Sequence, residues 1–239
     1  MKQPIKAAIS GVTGRMGTQL LQALKEEKGL IELAVGISSG LEASVFVTPE
    51  QLSNAPAFDV LIDFSVPEVT LDVLEYCSRQ RIPAVVGTTG FSPQEKERLR
   101  GLSKQMPTVF SANMSLGVNL LFALLREAAD RLSDWDLAIV ETHHKAKRDA
   151  ISGTALALKE CVLSTHPSAS VAAIRGGDCV GEHEVVFSGF GEKLILAHRA
   201  TDRMIFARGA LRAAKWLIET RPAPGCYSML DVLKVKRDQ

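Results

Sequence analysis

Residues 5–17 read IKAAISGVTGRMG, and this stretch decides the fold. An apolar run typical of a buried strand leads through three regularly spaced glycines into a helical pattern. Glycines at such a junction permit a tight turn and let backbone N–H groups approach a diphosphate at the positive end of the helix. The stretch therefore predicts a dinucleotide-binding loop, and the alternative is a turn whose glycines serve packing only. The residues expected to bind the cofactor here are Gly11, Gly14, Arg15, Met16 and Gly17.

Short apolar runs and amphipathic helical patterns alternate from this stretch to Ser111. The runs are rich in Val and Ile, as strands are. The helical segments space their apolar residues three to four positions apart. This alternation favours a parallel sheet covered by helices on both faces. The predicted strands are Ile5–Ser10, Ile31–Ile37, Val45–Val47, Val60–Phe64, Ala84–Gly87 and Thr108–Ser111, and the predicted helices are Arg15–Glu27, Val69–Arg79 and Pro93–Gln105.

The pattern changes after Asn113. A long apolar helix, a strand and a second helix are followed by strands that succeed one another directly. Gly189-Phe190-Gly191 separates the last two of these strands, which is the spacing of an antiparallel hairpin. The predicted helices are Leu116–Leu132, Gly153–Leu163 and Arg203–Thr220, and the predicted strands are Leu137–Thr142, Val171–Ile174, Glu182–Ser188 and Lys193–Arg199.

These patterns predict an α/β protein with two domains. Residues 1–114 form the dinucleotide-binding domain, and the C-terminal segment 204–239 packs back to complete it. Residues 115–203 form the second domain, which has α+β character because its later strands follow one another directly, without a helix between them.

Composition excludes several classes of partner. The 28 Lys and Arg against 27 Asp and Glu leave a net charge of +1, which predicts no nucleic-acid or membrane partner. The longest apolar run, Leu120–Leu125, is far shorter than the ~20 residues that span a bilayer. The N-terminus lacks the residue order of a signal peptide, and the 4 cysteines include no C-x-x-C pair. We therefore expect a cytoplasmic protein whose cysteines are reduced core thiols.

Two further groups of residues lie at the carboxyl ends of predicted strands, at the edge where open parallel sheets bind ligands. Phe64 and Ser65 lie at the end of one strand, and Gly87, Thr88 and Thr89 lie at the end of the next. Their backbone and hydroxyl groups are suited to hold the carboxamide of a nicotinamide. The alternatives are a helix N-cap for Ser65 and a turn for the threonines.

The end of the second strand bears on the choice of cofactor. An NAD-preferring site usually presents an acidic side chain there, but residues 36–40 read GISSG. Without a carboxylate there is no repulsion of a 2′-phosphate, and the Ser38 and Ser39 hydroxyls can donate to it. Both NADPH and NADH are therefore expected to bind, although the two serines are equally well explained as turn residues.

Residues 141–155, ETHHKAKRDAISGTA, are the most informative stretch of the second domain. They gather two histidines and several cations at the start of a helix, where a ligand with carboxylates or phosphates would relieve the repulsion. Gly153 lets such a ligand reach backbone amides, while Ser152 and Thr154 can cap the helix or donate to the anion. A histidine has a pKa near ~6.5, so one beside this pocket can donate a proton.

Other interpretations of these histidines and cations remain. His143 and His144 are poor candidates for a metal site, because adjacent strand residues point to opposite faces and no Cys or H-x-x-x-H partner is near. We therefore predict no metal. The cations alternatively form a solvated loop. His166 and His198 are expected to be surface or structural histidines, and His183 is ambiguous.

Several motifs in order resemble the 4-hydroxy-tetrahydrodipicolinate reductase family, also called dihydrodipicolinate reductase, over nearly the whole chain. They lie at residues 11–17, 63–65, 86–91, 112–119, 141–155, 180–183 and 203–210. The chain departs from the family pattern at Ala146, where His is common, and at Ile151, where Pro is common. The segments after Ser39 and after Cys161 are also shorter than usual.

The resemblance implies a Rossmann-type domain and a mixed-sheet domain that binds substrate and forms a homotetramer. It also implies the reduction of a cyclic imine with two carboxylates by NADH or NADPH, in lysine and diaminopimelate biosynthesis, with loss of water. His143 would be the general acid, and Lys147 would pair with the substrate. The residues that match the family's remaining substrate contacts are His144, Ser152, Gly153 and Thr154, and Ala112, Asn113 and Met114 match a further cofactor motif.

Two other functions fit parts of the pattern. A nucleotide sensor without catalytic activity would keep the glycine loop, but it would have no need of His143 and Lys147. A different nicotinamide enzyme, acting on an amino-acid semialdehyde or on homoserine, would lack the His-His-x-x-Lys arrangement. Turnover of the substrate distinguishes all three.

Overall fold

The computed structural model describes residues 3–27, 29–38 and 46–234, so Ser39 and Val45 lie outside the described residues. The chain divides into two compact units. The first unit is Met1–Met114 with Phe206–Gln239, and the second unit is Ser115–Ile205. Among the described residues, no helix is both long and apolar enough to cross a bilayer.

Eleven strands and seven α-helices are assigned in the described residues, together with a 3₁₀ helix at Pro49–Asn54. The strands are β1 (Ile5–Ser10), β2 (Ile31–Ile37), β3 (Phe46–Val47), β4 (Val60–Asp63), β5 (Ala84–Val86), β6 (Pro107–Phe110), β7 (Asp136–His143), β8 (Ser170–Arg175), β9 (Gly181–Ser188), β10 (Lys193–Ala200) and β11 (Gly225–Tyr227). The helices are α1 (Arg15–Glu26), α2 (Pro67–Gln80), α3 (Pro93–Ser103), α4 (Leu116–Arg131), α5 (Gly153–Glu160), α6 (Met204–Thr220) and α7 (Met229–Val232).

The first unit is built on a parallel sheet with the strand order β11-β6-β5-β4-β1-β2-β3. Its central strand β4 is buried throughout, as expected of a sheet covered on both faces. Ser10, Asp63 and Val86 pair in register at the carboxyl ends of β1, β4 and β5. The loops that follow these strands therefore meet at one edge of the sheet, and the predicted Rossmann-type architecture is confirmed.

The second unit contains a mixed sheet with the order β10-β9-β7-β8. β7 pairs parallel with β8 and antiparallel with β9, and β9 and β10 form the predicted hairpin around Gly189-Phe190-Gly191. Alternate residues of β7 and β9 are buried, so each strand has one face in the core. Leu137 and Ile139 pack there with residues of α4 and α5. Glu141 and His143 continue the same alternation into a polar region.

Most differences from the predicted elements are shifts at their ends, such as β4 ending at Asp63 rather than Phe64. Helix α5 ends at Glu160 rather than Leu163, because the following residues form turns. The sequence patterns miss the 3₁₀ helix, β11 and α7, which are too short to show a period. The cysteines are not all core thiols: Cys77 is buried, but Cys226 is exposed.

Candidate active site

The glycine loop of the first unit has the geometry of a diphosphate cradle. Gly11 adopts φ +74°, and a Cβ there would lie 2.5 Å from the Phe64 carbonyl oxygen. A Cβ on Gly17 would lie 2.3 Å from the Val12 carbonyl oxygen. No side chain caps the N-terminus of α1, and its first turn holds no acidic residue. The first N–H groups of α1 are thus suited to bind an anion.

A cavity of about 290 Å³ opens beside this loop. The Thr13 and Ser38 hydroxyls form a hydrogen bond of 2.8 Å at its lining. Five of its lining residues were expected from the sequence, namely Gly11, Gly14, Ser38, Phe64 and Ser65. Four were not expected, namely Thr13, Ile37, Val66 and Val69. Thr13 lies within the glycine loop and could have been found there, whereas nothing in the sequence distinguishes the three apolar residues from core.

Asp63 organises the strand ends below the cavity. Its carboxylate is fully buried and accepts hydrogen bonds from the hydroxyls of Ser65 (2.9 Å), Thr70 (2.7 Å) and Thr88. The Ser65 hydroxyl is thus committed to Asp63, and the N-cap of α2 is Val66. The interpretation of Ser65 as an N-cap is therefore wrong: the serine lies one residue too early and its hydroxyl binds the carboxylate instead.

The remaining predicted cofactor residues lie in the first turn of α1 and on loops that follow strands of the first unit. Arg15 and Met16 begin α1, and Gly87 and Thr89 follow β5. A Cβ on Gly87 would collide with the Phe64 ring at 2.2 Å. Ala112, Asn113 and Met114 follow β6, and the Ser111 hydroxyl donates a hydrogen bond of 2.7 Å to the Asn113 carbonyl oxygen.

The second unit brings Glu141, His143 and Arg175 together at the ends of β7 and β8. Glu141 is fully buried, and its Oε2 contacts His143 Nδ1. Its Oε1 accepts hydrogen bonds from Arg175 Nη2 (2.8 Å) and from the Ser152 backbone N–H (2.9 Å). His143 Nε2 lies 2.9 Å from the position of a Cβ on Gly181, so a side chain at position 181 would collide with this nitrogen.

The pKa directions follow from burial and from these charges. Burial lowers the pKa of His143, and although Glu141 opposes this, Lys147 and Arg175 add to the lowering. Burial raises the pKa of Glu141, but hydrogen bonds from Arg175 and the Ser152 N–H outweigh it, so the net pKa is below the ordinary value. The carboxylate is therefore ionised at neutral pH.

His183 lies beside this group on β9. Its ring meets that of His143 edge to face with 5.3 Å between the centroids. Burial lowers the pKa of His183 to about 4, and the charge of His143 contributes. Its Nε2 lies 3.2 Å from the Ser152 hydroxyl. His183, ambiguous in the sequence, is thus a buried neutral neighbour of the predicted acid.

The predicted substrate residues surround the start of α5. Ser152 is its N-cap, and the Ser152 hydroxyl accepts a hydrogen bond from the Ala155 N–H. A Cβ on Gly153 would meet no heavy atom within 4 Å, so the backbone there is open to a ligand. Thr154 lies in the first turn of α5.

Two cationic side chains of the second unit have polar partners of their own. Lys147 Nζ forms an ion pair of 2.8 Å with Asp149, which lowers the pKa of that carboxyl through a hydrogen bond. His144 Nε2 lies 3.4 Å from Nη2 of Arg203, which belongs to the family motif at residues 203–210.

Three side chains of the second unit, including that of His143, also carry donor atoms that metal ions bind. The donor atoms of Glu141, His143 and His183 lie within 4.8 Å of one another. Both carboxylate oxygens of Glu141 already have partners, however, and Arg175 and Lys147 bring positive charge that repels a cation. The absence of a metal stays a prediction.

The two histidines expected to be structural differ in burial. His166 is buried, and its ring nitrogens lie 3.0 Å from the Leu132 carbonyl oxygen and 3.0 Å from the Thr165 hydroxyl. His198 is partly buried, with its Nε2 3.4 Å from the Ser115 hydroxyl.

Comparisons with known proteins agree on one family. The family model described as "Dihydrodipicolinate reductase, N-terminus" matches residues 5–114, and the model described as "Dihydrodipicolinate reductase, C-terminus" matches residues 117–233. A 4-hydroxy-tetrahydrodipicolinate reductase of Syntrophotalea carbinolica is 41% identical, with 97% of this chain and 100% of the relative covered. One of Xanthomonas campestris pv. campestris is 43% identical, with 96% of this chain and 98% of the relative covered.

A solved structure supports the same fold. The dipicolinate-bound dihydrodipicolinate reductase from Paenisporosarcina sp. TG-14 has a TM-score of 0.82 to this chain, with 95% of this chain and 98% of that chain covered. Its sequence identity is 19%, so this likeness concerns the architecture alone.

Proposed function

Because the chain belongs to the dihydrodipicolinate reductase family, we propose that it reduces 4-hydroxy-tetrahydrodipicolinate to tetrahydrodipicolinate with loss of water, using NADPH or NADH. The reaction belongs to lysine and diaminopimelate biosynthesis. The observation that carries the proposal is that Glu141 contacts His143 and also accepts a hydrogen bond from the Ser152 N–H at the start of α5, while the charge of Lys147 is close enough to act on His143.

The first unit holds the cofactor in this proposal. The N–H groups at the start of α1 bind its diphosphate, and the wall of the cavity receives the adenosine. When bound, the reduced nicotinamide supplies the hydride. Ser38 donates to a ribose hydroxyl or to a 2′-phosphate, and residues 36–38 present no carboxylate to repel the phosphate. Both cofactors are therefore accepted.

The second unit binds the substrate, a heterocycle with two carboxylates. One carboxylate lies beside Gly153 in the first turn of α5, where the glycine leaves space and the Thr154 hydroxyl donates. Lys147 turns from Asp149 to the substrate and neutralises its negative charge, and His144 makes a further contact. Support for this ligand class comes from the Paenisporosarcina relative, whose structure holds dipicolinate.

His143 is the general acid. Loss of water from the hydroxylated substrate leaves a C=C bond beside the ring imine. Addition of hydride to one carbon of this bond moves its electron pair onto the neighbouring carbon, which must then take a proton. With Nδ1 held by Glu141, Nε2 carries that proton toward the substrate. Lys147 stabilises the charge that builds up during the transfer.

Oxidation of NADPH and NADH, with the product of aspartate semialdehyde and pyruvate condensation as substrate, tests the proposal. We expect turnover with both cofactors, and a loss of at least ~10²-fold in kcat for Lys147→Ala, because the cation acts in the transition state. Lys145→Ala is the matched control, since Lys145 is an exposed cation of the same loop. Absence of turnover by the folded protein, or equal rates for the two variants, would contradict the proposal.

We further propose that the protein is a cytoplasmic homotetramer assembled through its second unit. Ile174, Leu194 and Ile195 of β8 and β10 support this, because each of these apolar side chains is more than a third exposed. Light scattering should give four times the chain mass of 25.8 kDa. A monomer at assay concentration would contradict the tetramer.

A further inference from the structure

The residue that His143 contacts has a role of its own. Glu141 is fully buried, in a position that alternation along β7 would otherwise fill with an apolar residue such as Ile139. A buried carboxylate is costly unless it is paired and hydrogen-bonded. Glu141 meets that condition through three groups from three elements: His143 on β7, Arg175 on β8 and the Ser152 N–H before α5.

We propose that Glu141 is a positioning residue that fixes the His143 ring with its Nδ1 toward the carboxylate and its Nε2 toward the substrate, and that Arg175 holds Glu141 in place. This inference rests on the proposed function for its kinetic consequence only. The geometry of the three side chains stands without it.

The contact selects one arrangement of the imidazole. An ionised carboxylate accepts hydrogen bonds and cannot donate them, so Nδ1 facing Glu141 must carry a proton. The neutral ring then exposes Nε2 as its acceptor, and the protonated ring exposes Nε2–H as its donor. Gly181 confines the Nε2 side, because any side chain there would meet this nitrogen at 2.9 Å. The ring so held has Nε2 on the side of Gly181, and in the proposed function this is the nitrogen that exchanges the proton with the substrate.

Arg175 also anchors the carboxylate to the adjoining loop. Besides Glu141, its Nη2 donates to the carbonyl oxygens of Asp149 (3.0 Å) and Ala150 (3.1 Å). Since Asp149 forms the ion pair with Lys147, Arg175 joins the acid and the cation of the site through one guanidinium. An arginine guanidinium, whose N–H donors have a fixed planar geometry, holds these oxygens in place better than a lysine ammonium would.

Charges around His143 act in opposite directions. Glu141 favours the protonated ring, whereas Arg175 and Lys147 disfavour it, and His183 packs on the ring from β9. Removing the carboxylate must therefore lower the pKa of His143, and removing the guanidinium must raise it. If the two substitutions merely loosened the fold, the His143 ring would become exposed, and its pKa would shift in the same direction in both variants, toward that of a solvated histidine.

NMR titration of the histidine Cε1–H signals tests this without any substrate. The signal of His143 is assigned by comparison with His143→Gln, and each variant is titrated in the presence of a chelator. We expect a lower pKa for His143 in Glu141→Gln and a higher one in Arg175→Met. Glu184→Gln is the control, because Glu184 pairs with Arg199 on the partly exposed side of β9 and does not touch His143. An unchanged His143 pKa in both variants, or a shift of both in the same direction, would overturn the proposal.

Kinetics give a second readout. In Glu141→Gln, kcat at neutral pH should fall by about 10²-fold, while KM should change little. As the pH is raised, kcat should also begin to decline at a lower pH than in the parent protein, because the pKa of His143 is lower. An equal loss at every pH would overturn the positioning role. If the NMR shifts occur as expected and no variant, including the parent protein, turns over the substrate, the positioning of His143 stands and the proposed function fails. If Glu141→Gln does not fold, Arg175→Met alone must still raise the pKa of His143 for the proposal to survive.

Discussion

Replacing Gly209 by Ala should destabilise the protein even though alanine is the better helix former. Gly209 lies within α6 and is buried among Ala207, Ala210 and Ala213, so this helix packs closely on its surroundings. A Cβ at Gly209 would lie 1.8 Å from the Met114 carbonyl oxygen, where ordinary contacts begin at 3.4 Å. The obstacle is backbone, which cannot rotate away as the end of a side chain can.

The magnitude follows from two opposing effects. Alanine gains up to about 1 kcal/mol over glycine inside a helix. Separating α6 from Met114 by well over an ångström overpacks the core, which costs roughly 1–3 kcal/mol and more where backbone must move. We therefore expect a net loss of about 1–2 kcal/mol, or a Tm lower by roughly 2–8 °C for a chain of this size.

Thermal unfolding followed by circular dichroism at 222 nm measures the difference. Gly101→Ala is the matched control, because Gly101 lies in α3 with no heavy atom within 4 Å of a Cβ. It should raise the Tm or leave it unchanged. If Gly209→Ala were as stable as Gly101→Ala, the close approach of α6 to Met114 would be wrong.

Two further predictions concern buried groups. His183 has a pKa of about 4 in the fold against roughly 6.5 when unfolded, so the unfolded chain binds the proton first as the pH falls, and up to about 3 kcal/mol of stability should be lost between pH 6.5 and pH 4. His183→Gln should show a shallower fall of Tm over this range, and an unchanged pH dependence would argue against a neutral buried His183. Cys77 is buried, which raises its thiol pKa, whereas Cys226 is exposed. An aromatic disulfide reagent should therefore modify Cys226 in the native protein and Cys77 only after denaturation, as mass spectrometry of the labelled peptides would show.

Much of the fold could be predicted because its elements carry strong periods. The Val- and Ile-rich strands of the first unit and the glycine hairpin between β9 and β10 are visible in the sequence alone. The three residues of β11 show no period, and their strand character arises only from pairing with β6. Such an element depends on its neighbour, so local sequence could not predict it.

The candidate site could also be predicted only in part. His143 and Lys147 could be selected from the sequence because they lie in a short stretch of histidines and cations before a helix, which suits an anionic ligand, and because this stretch matches a motif of the family. The contribution of Arg175 could not be foreseen, since 34 positions separate it from Glu141 and only the parallel pairing of β7 with β8 brings them together. Asp63 lies in the motif at residues 63–65, but its role depends on hydroxyls from α2 and from the loop after β5, which local sequence does not reveal.

The discontinuity of the first unit has a consequence for biosynthesis. Synthesis on the ribosome proceeds from the N-terminus, so the second unit, residues 115–205, emerges before β11. Until then the nascent sheet has β6 as an open edge, with unpaired backbone groups where β11 will attach. The second unit can therefore reach its native state first. The first unit cannot complete its sheet until β11 has been translated, more than a hundred residues after its partner β6.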